Sequence, residues 1–69
     1  MKINFGERLK ELRTERNIGQ VELSKAISVS KGIISLWENG LREPTLSSLI
    51  ALAEFFNVTL DELVGRNNY

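Results

Sequence analysis

Apolar residues recur at helical spacing along most of the chain, and short polar clusters interrupt them. Phe5, Leu9 and Leu12 step by four and by three, which places one apolar stripe on a helix over about residues 4–16. Asn4 and Glu7 have the spacing of a capping box at its start. Arg13 follows Leu9 by four, so a charge sits on the edge of that stripe and must reach solvent or a partner. Asn17-Ile18-Gly19 ends the helix. Leu23 and Ile27 share a face of a second helix, about 20–27, and Ile34 and Trp37 a face of a third, about 31–39. Val29 lies in the break and can plug the corner. Ser30 is placed to accept a bond from an orphan N–H of the third helix, and Gly40 suits a left-handed stop after it.

Leu41-Arg42-Glu43-Pro44 reads as a loop, since the residue before a proline is pushed away from helical angles. Thr45 then caps a fourth helix, about 46–56. Leu46, Leu49, Ile50, Leu52, Ala53, Phe55 and Phe56 make it apolar on most sides, which predicts the central core helix. Asn57-Val58 breaks it. Thr59 and Glu62 form a capping box for a short last helix, about 60–65, whose Leu60, Leu63 and Val64 would close the core. No strand pattern or repeat occurs. The pattern predicts one compact all-α domain of five helices over residues 1–66, with 67–69 a polar tail.

Composition narrows the chemistry. A chain of 69 residues suffices for one small domain. It has no cysteine and no histidine, which excludes a disulfide framework, a zinc finger and every His- or Cys-based catalytic site. There is no Gly-rich phosphate loop, and the carboxylates fall on solvent faces or at helix starts, so no enzyme, cofactor, metal or small-molecule substrate is expected. No apolar run approaches a membrane span, and the start MKINFGERLK has no signal-peptide core, so the cytoplasm is expected. Nine basic and nine acidic residues give zero net charge, which counts against a nucleic-acid partner. Their distribution counts for one: residues 1–31 carry seven basic and four acidic groups, and 32–69 two basic and five acidic.

Two short helices joined by a tight turn match the helix-turn-helix description. The run GQVELSKAISVSKGIISLWENGLREPTLSSLIALAEFFNVTLDELVG resembles the phage-repressor (Cro/repressor, XRE-like) helix-turn-helix domains over nearly the whole chain. The resemblance is carried by Gln20 opening the second helix and the set Leu23, Ile27, Val29 and Ile34. It is carried also by Trp37-Glu38-Asn39-Gly40, by Pro44 and by Leu60-Asp61-Glu62-Leu63.

The resemblance implies that the third helix lies in the DNA major groove while the second crosses the backbone. Gln20, Ser30 and Asn39 would then bond phosphate, and Arg42 would reach a phosphate or the adjacent minor groove. Lys31, Gly32, Ser35 and Leu36 would meet base edges, with Lys31 able to donate to guanine O6 and N7. Glycine inside a helix is unfavourable, so Gly32 reads either as close backbone approach or as relaxed sequence near a cap. Ile33 and Leu36 either touch thymine methyls or pack on the second helix or a neighbouring loop. Arg13 and Glu38, charges at the rims of two apolar faces, suggest one ion pair, as similar family members have there. Its role would be structural, orienting the third helix against the first.

Four positions depart from the family pattern: Gly19 for a Ser/Thr cap, Ser24 for a packed alanine, Ser28 where glycine is frequent, and Phe55 where smaller or polar residues are common. A positive φ at Ser28 would strain it. The expected function is sequence-specific binding of double-stranded DNA by a transcriptional repressor. It would act as a homodimer on an inverted repeat, with Ala51 and Phe55 as the candidate dimer surface. The alternative is a protein-interaction module or antitoxin-like partner that keeps the same fold.

Overall fold

The computed structural model describes residues 4–65. Five α-helices follow one another: α1 (Phe5–Glu15), α2 (Gln20–Ala26), α3 (Lys31–Glu38), α4 (Leu46–Phe56) and α5 (Leu60–Val64). No strand occurs among the described residues, so the fold is all-α. The polar tail predicted after the last helix lies outside them.

Three helices start on a side-chain cap. Ser30 Oγ accepts from the Ile33 amide, Thr45 Oγ1 from Ser48 and Thr59 Oγ1 from Glu62, each with its backbone extended at the cap. At Thr59 the Glu62 carboxylate also reaches back to the Thr59 amide at 2.8 Å, which completes the capping box. The box expected at Asn4 and Glu7 does not form. Asn4 sits at φ −116°, ψ 56°, and this departure from extended backbone leaves its side chain without a cap bond. Gly19 caps α2 with extended backbone and no side chain.

The first four helices stop in one way. A residue turns left-handed, namely Asn17, Ser28, Gly40 or Asn57, with φ between 56° and 71°. The amide after it then reaches back five residues: Ile18 to the Arg13 carbonyl, Val29 to Ser24, Leu41 to Leu36 and Val58 to Ala53. This is the Schellman arrangement, which satisfies carbonyls that a helix end leaves orphaned. The residue after the turn is apolar each time. Ile18, Val29 and Val58 fold back onto the core, but Leu41 stays 74% exposed.

The core draws on every helix: Leu9 and Leu12 from α1, Leu23 from α2, Ile34 and Trp37 from α3, Leu52, Ala53 and Phe56 from α4, and Leu63 from α5. Each fully buried Leu, Ile or Phe contributes about 1.5–3 kcal/mol. Two expectations need correction. The fourth helix is not buried on most sides: Leu46 is 67% exposed, and Ile50 and Phe55 also face solvent. Among the described residues, α4 is covered on the side of Leu49, Leu52, Ala53 and Phe56. Leu60 is likewise exposed, and Leu63 closes the core without it.

Arg8 of α1 and Arg16, the residue that caps its C-terminus, tie down the last two helices. Arg16 donates from Nη2 to the Phe56 carbonyl at 2.7 Å and lies 5.1 Å over the Phe56 ring. Arg8 donates from Nε to the Glu62 carbonyl at 2.9 Å and pairs with Glu11. Both bring a cation to a helix C-terminus, where partial negative charge collects.

Candidate nucleic-acid interface

The corner between α2 and α3 sets which side of α3 faces outward. Ser28 takes φ 61° there, the strained conformation that its departure from glycine implied. Val29 follows and plugs the corner. Ser24, on the preceding turn, is buried where alanine is usual, and its hydroxyl is satisfied by the Val21 carbonyl at 2.7 Å. Ile34 and Trp37 then point α3 into the core, with Phe5 edge-on to Trp37 at 6.3 Å between centroids.

The opposite stripe of α3 holds the four residues expected to read bases. Lys31 and Gly32 are exposed, and Ser35 and Leu36 are half-buried. Nothing inside the domain demands glycine at position 32, where a Cβ would approach only Ser30 Oγ, at 3.8 Å. Ile33 is partly buried and packed against the core, so it lies on the protein side of the helix.

The four expected phosphate contacts are differently placed. Gln20 donates from Nε2 to Glu38 Oε1 at 3.0 Å, which leaves its second N–H for another acceptor. Ser30 spends an acceptor lone pair on the α3 cap and keeps its own O–H. Asn39 folds back, with Nδ2 2.9 Å from the Ser35 carbonyl. Arg42 is exposed just past α3 and makes no hydrogen bond or ion pair with a described residue.

Arg13 and Glu38 meet in a forked pair, Nε to Oε2 at 2.7 Å and Nη2 to Oε1 at 3.1 Å. Their side chains are 12% and 4% exposed. Arg13 also donates from Nη1 to the Ile18 carbonyl at 2.9 Å, so one guanidinium joins α1, the α1–α2 corner and the end of α3. The hydrogen bond to Glu38 holds the Arg13 pKa above its ordinary value against the cost of burial. Since Gln20 shares Glu38, three elements meet on this one carboxylate.

Sequence reading missed the Gln20–Glu38 bond, the inward turn of Arg8 and Arg16, and a close approach at Gly6. Only the last left a signal, a glycine inside an otherwise helical pattern. Ala51 is half-buried on α4, and Phe55 is 40% exposed although its ring meets Phe56 edge-on at 5.0 Å.

Among proteins of known role, the chain is 42% identical over 63 residues to the HTH-type transcriptional activator BcrR of Enterococcus faecalis, covering 91% of this chain and 31% of that protein. It is 35% identical over 61 residues to the cryptic phage CTXphi transcriptional repressor RstR of Vibrio cholerae, covering 88% of this chain and 55% of that one. It thus spans about a third to a half of those relatives. Among solved structures, the P22 c2 repressor in complex with a synthetic operator superposes with a TM-score of 0.85 at 33% identity, over 91% of this chain and 96% of that one. The helix-turn-helix family model matches residues 9–63. With the repressor-like corner, the outward stripe of α3 and these likenesses together, the chain belongs to the helix-turn-helix family of the phage-repressor, XRE-like type.

Proposed function

We propose that this domain binds double-stranded DNA sequence-specifically through α3, within a transcriptional regulator that represses as a homodimer on an inverted repeat. The observation that carries this reading is the outward stripe Lys31, Gly32, Ser35 and Leu36, bracketed by Ser30 and Arg42. It is supported by the superposition on a repressor solved with operator DNA. In this reading Lys31 donates to guanine, Leu36 meets a thymine methyl, and Gly32 lets a base or phosphate approach the backbone. The second N–H of Gln20, the Ser30 hydroxyl, Asn39 and Arg42 hold phosphates and fix the register. Ala51 and Phe55 meet their copies across a two-fold axis, placing two α3 helices about 34 Å apart along one face of the duplex.

Selection of bound duplexes from a random pool tests this directly. An inverted repeat should emerge. Lys31→Met should then lose preference at one base pair, by about 1–3 kcal/mol, while random duplex is still bound. Uniform weakening would instead make Lys31 a phosphate contact. The zero net charge favours one other reading, a protein-interaction module that keeps the fold. Failure to bind any duplex at low salt would select it.

A further inference from the structure

Gly6 lies in the first turn of α1, where α1 crosses the end of α3. A Cβ built at Gly6 would stand 2.6 Å from the Trp37 carbonyl oxygen and 2.7 Å from that of Glu38. Both obstacles are backbone, so no side-chain rotation relieves them. Ordinary contact would require the two helices to part by ~1 Å at this point. A glycine inside a helix forgoes helix preference, and here close approach of two backbones accounts for it.

We propose that Gly6 is a positioning residue for recognition: by omitting a side chain it seats α1 on the last carbonyls of α3 and so sets the tilt at which α3 is presented. The seat falls on a residue with leverage. Glu38, whose carbonyl faces Gly6, also holds Arg13 through its carboxylate and Gln20 at the start of α2. Pushing Glu38 away from α1 therefore disturbs the base-reading helix and the Gln20 amide together. The inference rests on α3 being the reading helix.

The test compares Gly6→Ala with Gly32→Ala and with the wild-type chain. Helix preference alone would raise the melting temperature in both variants. Gly32→Ala, which has open space for its methyl, should do so, and Gly6→Ala should melt lower than wild type. Below its melting temperature, Gly6→Ala should lose at least about tenfold in affinity for the selected duplex and less than about threefold for random duplex. Amide resonances of Gln20 and of Trp37 to Gly40 should shift together. Should Gly6→Ala fail to fold, the comparison is made in an Asn57→Gly background, which relieves a left-handed residue outside α1 and α3. A Gly6→Ala chain as stable as wild type, or equal losses on selected and random duplex, would overturn the proposal. If the wild-type chain selects no duplex, the DNA reading fails by itself, while the melting and resonance changes still report on the seat.

Discussion

Glu38 accepts two bonds from Arg13 and one from Gln20, while only 4% of its side chain reaches solvent. Truncating it leaves a buried guanidinium and an amide without their acceptor. Glu38→Ala should therefore cost about 3–5 kcal/mol in urea unfolding. Replacing both charges, as Arg13→Met with Glu38→Leu, should cost less than that single change, because no charge is then stranded. The meeting of Arg13 and Glu38 was legible in the sequence because each sits on the rim of an apolar stripe. Gln20 was not, because periodicity does not say which neighbour a polar side chain at a helix start will meet. At Ser28 the strain was readable only through the resemblance, which puts glycine at that turn, because a serine by itself does not announce a left-handed stop.

Helix starts were more legible than helix faces. Ser30, Thr45 and Thr59 cap as their types and spacings predict, whereas Asn4 has a suitable side chain on an unsuitable backbone. The box on α5 also carries a pH signature. Bonds from the Thr59 amide and hydroxyl, with Arg8 nearby, hold the Glu62 pKa below the ordinary carboxylate range. A pKa lowered by folding means a contribution fully present above that range and lost as the pH falls through the lowered value. The melting difference between wild type and Glu62→Ala should thus vanish on acidification, with Glu62→Gln showing a smaller pH dependence than wild type. On α4 the pattern misled, because apolar residues all round a helix say nothing of how many neighbours exist to cover them. The uncovered Phe55 gives a check on pairing. Phe55→Gln should shift sedimentation toward monomer and weaken binding to the inverted repeat more than to a half-site.

For the whole molecule, the sequence suggested that a basic first half would serve the DNA. The structure redirects much of it: Arg8, Arg13 and Arg16 all bond to oxygens of the domain itself. Lys31 at the start of α3 and Arg42 in the loop past its end have no partner among the described residues. If two or three cations per domain meet phosphate, a two-domain complex should show a slope of log K against log salt of about −4 to −5. A slope near −9 would mean that the inward arginines turn out to bind DNA. The repeated left-handed stops bear on something else, how the chain finds this shape. Each corner is closed by bonds spanning at most five residues, so successive bends are specified before distant segments meet. With its bends set locally, the docking of α1 on α5 is the step that requires the most distant segments to meet, and stopped-flow refolding should complete on the microsecond-to-millisecond scale of small helical domains.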